Sequence, residues 1–117
     1  MTFIDAYVAA VPHGNRDAYI AFSTKMIAIL KEQEALRVVE TWESDVPEGK
    51  LTSFPFAVRR LAGEAIALGI IEWPSKEVRD RAWSKFDAEG VTSQQNNPMP
   101  YDGSRMIFGG FDTILDI

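Results

Sequence analysis

The chain has no cysteine and a single histidine, His13. The first absence removes disulfides, thiolate nucleophiles and zinc-thiolate sites together. The second excludes a multi-histidine metal site within one chain. Also missing is any apolar run near the ~20 residues that a bilayer-spanning helix needs, and the N-terminus has no basic flank leading into an apolar segment. A cytoplasmic protein without a membrane partner is therefore expected. Positive charge is short as well: 12 Lys and Arg against 17 Asp and Glu leave a net charge of -5 and a pI near 4.8. The cations are scattered, whereas a surface that neutralises phosphates needs them clustered, so no nucleic-acid partner is expected. No glycine-rich phosphate loop, Ser-His-Asp set or metal-ligand spacing is present, and neither a metal nor a flavin is expected as cofactor.

What is present suits one globular domain over residues 1–117, with 46% hydrophobic and 25% charged residues. Residues 64–86 (EAIALGIIEWPSKEVRDRAWSKF) organise the rest. Ala65 to Ile71 is apolar throughout and short, which predicts a strand buried on both faces. Trp73 and Pro74 close it, Ser75 is placed to cap a helix, and Val78, Ala82 and Phe86 recur at helical spacing behind it. Before this unit, residues 2–11 alternate with period two: Ile4, Ala6, Val8 and Ala10 on one face, Phe3, Asp5, Tyr7 and Ala9 on a mixed one. Asn15 is a candidate cap for a helix over 16–33 with the stripe Tyr19, Phe22, Met26, Ile29, Leu30. Residues 36–42 read as a second strand. Residues 51–61 fit an edge strand or, through Pro55, a short helix, and the strand is preferred. After Gly90 a long turn-rich loop, 91–104, leads to a last strand over 105–114, where Gly109 and Gly110 mark a bulge or a close backbone approach.

Without the extra strand this order is two βαβ-like halves, an α+β ferredoxin-like antiparallel sheet with both helices on one face. The central strand shows Ala65, Ala67, Gly69 and Ile71 on one side and Ile66, Leu68 and Ile70 on the other. Apolar surface of that extent is normally covered, so a second copy packed sheet to sheet, a homodimer, is expected, with the 91–104 loop reaching toward it through Met99 and Tyr101.

Four separated segments, RVVETW at 37–42, DVPEGKLTSF at 45–54, IEWPSKEVRD at 71–80 and MPYDGSRMIFGGFD at 99–112, are similar to the signature blocks of the DUF1428 family. The resemblance implies a dimeric α+β barrel, closed between the sheets of two chains. It implies no mechanism; relatives of that fold include cofactor-free monooxygenases and small-molecule binders, and fold alone does not choose between them.

Candidate chemistry gathers at strand ends. Glu40 with Trp42 and Glu72 with Trp73 are carboxylates beside indoles; facing one cavity they would supply a desolvated general base with the rings holding substrate. The alternative is that the two glutamates are exposed or paired with Arg37, Arg59 or Arg105, and that the rings are core or interface. Asp5 and Tyr7 lie on the mixed face, expected to look into the barrel, as an acid and a donor lining the pocket, or else as a Tyr hydroxyl satisfied by a buried Asp. Asp102 and Arg105 flank a Gly-Ser turn that either presents a cation to an anionic substrate or closes on itself as a salt bridge. His13, between Pro12 and Gly14, reads as an exposed loop residue. Two functions are consistent with this pattern: a cofactor-independent enzyme, of monooxygenase or isomerase type, acting on a small aromatic or carbonyl compound, or a non-catalytic small-molecule-binding or stress-related accessory protein.

Overall fold

In the computed structural model, which describes residues 1–91, 93 and 95–117, the elements run β1 (Phe3–Pro12), α1 (Arg16–Glu32), β2 (Arg37–Glu40), α2 (Phe54–Ala57), β3 (Glu64–Trp73), α3 (Lys76–Glu89) and β4 (Ile107–Asp112). The four strands form one antiparallel sheet in the order β2-β3-β1-β4. This is the ferredoxin-like α+β arrangement. The apolar run at 65–71 is the middle of β3, an interior strand as expected, and Ser75 caps α3 by accepting a hydrogen bond from Val78 N at 3.2 Å. Gly90 ends that helix in the left-handed conformation at φ 64°, which a residue without a β-carbon adopts at little cost.

Directly paired residues share a face of the sheet. Phe3 lies opposite Trp73, Asp5 opposite Ile71, Tyr7 opposite Gly69 and Ala9 opposite Ala67. Both long helices cover this face: Met26 and Leu30 of α1 and Ala82 and Phe86 of α3 close a core on Phe3, Ile71 and Trp73. The mixed face of β1 therefore looks at the chain's own helices and not into a space between two chains. Burying Asp5 is costly without partners, and the helix side is where the fold supplies them.

The other face carries Ile4, Val8, Ala10, Ile66, Leu68 and Ile70. Residues 43–63 fold over one end of it, where Val58 and Val46 pack on Val8, Ala10 and Ile66. The other end is open, with Ile107 of β4 42% exposed and Phe111 58% exposed.

Several expectations fail locally. Residues 51–61 hold no strand; they form α2, because Ser53 caps Phe56 N at 3.0 Å and Pro55 occupies the first turn, where a missing N–H costs nothing. The last strand starts at Ile107, since Asp102 caps a 3-10 turn at Gly103–Arg105. Its glycines form no bulge: Ala6 pairs Gly109 and Asp5 pairs Gly110 without a break. The close approach is real, as a β-carbon on Gly110 would lie 2.5 Å from Phe3 Cζ and 2.7 Å from Arg79 Nη2. Asn15 does not cap α1 through its side chain; its Nδ2 donates to Pro100 O at 2.8 Å and ties the 91–104 loop to the helix start. Two positions of that loop, Thr92 and Gln94, lie outside the described residues.

Candidate functional site

Between the sheet and helices α1 and α3 is a cavity of about 500 Å³, within the range of small-molecule sites. Most of its wall is apolar: Phe22, Met26 and Leu30 from α1, Val38 from β2 and Ile71 from β3. Met99, Tyr101 and Met106 close one side, so Met99 and Tyr101 serve the chain's own cavity and do not extend away from it. Exposed Asp87 and Phe108 stand on its rim.

One polar group in the wall is built across three strands. Glu40 on β2 pairs with Gly69 on β3, which in turn pairs with Tyr7 on β1. A side chain on residue 69 would block the path, since a β-carbon there would sit 2.4 Å from the Tyr7 ring. With glycine in place, Tyr7 lies across β3 and its hydroxyl donates to Glu40 Oε1, while the Tyr19 hydroxyl of α1 donates to Oε2. Burial first, and then the charge of Glu40, raise both phenols above their ordinary pKa, so they stay protonated and act as donors. Tyr101 is pushed up to about 12 by the same two causes. Its ring sits 5.9 Å from Tyr19 and 6.2 Å from Phe22, and among the described residues its hydroxyl meets only the Met106 thioether, at 3.5 Å, a weak acceptor. The cavity thus holds one carboxylate oriented by two phenols and a third phenol whose single donor is held by a weak acceptor.

The second polar group is Asp5. Its Oδ2 accepts from Trp73 Nε1 and Trp83 Nε1, each at 3.0 Å, and Arg79 reaches it from α3 through Nε at 3.0 Å and Nη2 at 2.8 Å. Hydrogen bonding to Asp5 leads the causes that hold Arg79 protonated. This carboxylate is saturated. It joins β1, β3 and α3 at one point and has little capacity left for a ligand.

Residues 2–103 match the family described as protein of unknown function DUF1428. The chain belongs to the DUF1428 family. It is 45% identical over 116 residues to the Escherichia coli (strain K12) protein named Uncharacterized protein YbaA, covering 99% of both chains, and equally so to its counterpart in Shigella flexneri. A solved structure of a dimeric ferredoxin-like protein from an uncultured marine organism superposes with a TM-score of 0.61 over 99% of this chain and 98% of that one. At 7% identity that likeness shows the fold alone.

In this DUF1428 chain the candidate residues separate by face. Asp5, Tyr7 and Glu40 line the cavity. Tyr7 finds Glu40 as its acceptor, not Asp5. Glu72 lies on the opposite face, paired with Ile4 and Arg37, so the two Glu-Trp pairs do not share one cavity. The reason is parity: Glu40 and Trp42 are two apart and point the same way, whereas Glu72 and Trp73 are adjacent and point apart. Trp42 lies behind the cavity wall, its ring tilted against Tyr19 at 6.0 Å, and Trp73 is fully buried in the core on Asp5. Arg105 closes on its own surroundings: its Nη1 and Nη2 meet Glu64 at 2.8 and 2.7 Å and its Nε meets Asp102 at 3.0 Å. That clamp holds Glu64 below the usual carboxylate range and does not line the cavity.

Tyr19, Arg79, Trp83 and Tyr101 are cavity residues of this DUF1428 chain that the sequence did not mark as site residues; it assigned Tyr101 to a contact with a second copy. Tyr19 was legible as part of the α1 stripe, but only the fold places its hydroxyl on Glu40. Among the described residues no three Asp, Glu or His side chains come together as metal ligands would, and no helix is long and apolar enough to cross a membrane.

Proposed function

We propose that the protein takes a small organic molecule into the cavity between its sheet and its helices and accepts a proton from it on Glu40. The observation that carries this reading is the Glu40 carboxylate, held in an apolar wall by the hydroxyls of Tyr7 and Tyr19 with the weakly engaged Tyr101 hydroxyl near by. A general base needs a fixed position and limited access of water. Proton removal opens an isomerisation and equally a cofactor-independent oxygenation, and Tyr101 is a donor for the oxygen on which charge would develop. Asp5, by contrast, is a positioning group: it fixes α3 and the Trp83 wall. In a screen of small enolisable carbonyl and phenolic compounds, substrate-dependent proton exchange with deuterated solvent should be found for the wild type and lost in Glu40→Gln. Exchange retained at the wild-type rate in that variant would remove Glu40 from the reaction.

A second reading, a non-catalytic small-molecule-binding or accessory protein, is favoured by one observation. Both carboxylates of the inner wall already have hydrogen-bond partners, so the cavity is stable without chemistry. Ligand binding unaffected by Glu40→Gln, with no exchange in either protein, would select it.

The assembly we propose is a cytoplasmic homodimer joined through the open sheet face. The support is the apolar end formed by half-buried Ile4 and Ile70 with exposed Ile107 and Phe111, together with the fold shared with a ferredoxin-like protein that is dimeric. Covering that end, and the exposed Phe54 and Phe56 of α2, would bury apolar area at about 25 cal/mol per Å².

A further inference from the structure

The charges around the cavity do not cancel. Its lining includes Asp5, Glu40 and Asp87 but one guanidinium, Arg79. Arg79 is committed to Asp5 by two nitrogens and to Asp80 by a third, at 2.8 Å, so that pair accounts for itself. Asp87 is on the solvated rim, where its charge is screened. Glu40 is left. Its partners are two neutral phenols, and among the described residues no Lys, Arg or His forms an ion pair with it.

The groups around Glu40 share one electrostatic character. Tyr7, Tyr19 and Tyr101 line the same end of the cavity, where Phe22 packs against Tyr101 at a near-perpendicular ring angle. Ring faces are negative and attract a cation, more strongly where water is kept out. A carboxylate in an apolar wall does the same and retains lone pairs for N–H donors after accepting from two phenols. An anion would meet uncompensated repulsion here, and a neutral molecule would leave the carboxylate without a counter-charge.

We propose that the molecule this cavity takes is a small organic cation, a protonated amine on an aromatic or aliphatic body, seated with its ammonium group against Glu40 and the three tyrosine rings. This deepens the small-molecule reading above and rests on it. The apolar body would lie along Met26, Leu30, Val38 and Ile71. A protein of net charge -5 also draws cations toward it at low salt.

Three probes of one shape and different charge test this on the full-length wild-type chain: 2-phenylethylammonium, 2-phenylethanol and phenylacetate, titrated at pH 7 and low salt with the aromatic and amide resonances of the cavity followed by NMR. The ammonium should bind at least about tenfold more tightly than the alcohol, as one cation-π contact with one charge-assisted hydrogen bond implies, and phenylacetate most weakly. Glu40→Gln should bring the ammonium to the level of the alcohol. If the alcohol or phenylacetate binds as well as the ammonium, the cation inference is overturned while the small-molecule reading stands. If none of the three moves a cavity resonance, both fall. Should Glu40→Gln fail to fold, the wild-type comparison decides the matter by itself.

Discussion

The ring of Tyr7 lies across Gly69, filling the space that a β-carbon on residue 69 would need. That glycine is what allows one hydroxyl to cross from β1 to Glu40 on β2. Gly69→Ala should therefore displace Tyr7, at a cost of about 1–3 kcal/mol for overpacking a buried strand. Urea unfolding would give the cost. A variant as stable as the wild type, with Tyr7 unmoved in its NMR spectrum, would contradict this account of Gly69.

All three tyrosines of the chain line the cavity, and all three have pKa values raised by burial and by Glu40. Because the folded values exceed the unfolded value of about 10, the neutral phenols contribute stability that is fully present below pH 10 and lost as pH rises through the folded values. Absorbance at 295 nm should show no tyrosinate step near pH 10 while circular dichroism remains native. Tyr101 should titrate first, near 12. A step at pH 10 in the native protein would mean that the phenols are open to water.

Asp5 holds two indole N–H groups and one guanidinium at once. Asp5→Asn keeps the shape and removes the charge, leaving Arg79, among the described residues, with Asp80 alone as an anionic partner. The loss should be about 3 kcal/mol, as for a broken buried pair, and the tryptophan emission should shift, since Trp73 and Trp83 both change partner. A cost below about 0.5 kcal/mol would show that the cluster is not structural.

On the sheet, the two sides of β3 should respond differently. Ile70 faces the open side and Ala67 faces the helices, packed with Ala9 and Tyr19. Ile70→Asp should turn a sheet-to-sheet dimer into a folded 13.1 kDa monomer, whereas Ala67→Asp should unfold the chain. Sedimentation velocity at micromolar concentration distinguishes these outcomes, and a wild type that sediments as a monomer would refute the dimer.

Much of this fold was legible because each long element carries its own signal. Period two in β1, the apolar run of β3 and the Ser75 cap with Gly90 beyond it define three elements locally. Residues 51–61 were misread because Pro55 suits both an edge strand and a first helical turn, and the decision rests on whether the Ser53 hydroxyl reaches Phe56 N. The site was half legible. Asp5, Tyr7 and Glu40 stood out as polar residues at strand positions, and strict alternation could already have sent Glu72 and Trp73 to opposite faces. Their partners were hidden: Arg79 and Trp83 lie 74 and 78 positions from Asp5, and Arg79 in a charged stretch of α3 reads as a solvated surface residue. Burial of Asp5 on a helix-covered face demanded a cation, but the sequence does not say which one.

The central claim is that the cavity between sheet and helices is the ligand site and that Glu40 is its polar focus. An NMR screen of a chemically diverse fragment library against ¹⁵N-labelled wild-type protein tests it most directly. Hits should perturb Tyr7, Tyr19, Glu40 and Tyr101 together, and their affinities should fall in Glu40→Gln. Hits that cluster elsewhere on the surface, or a library that leaves those four residues unmoved, would contradict it.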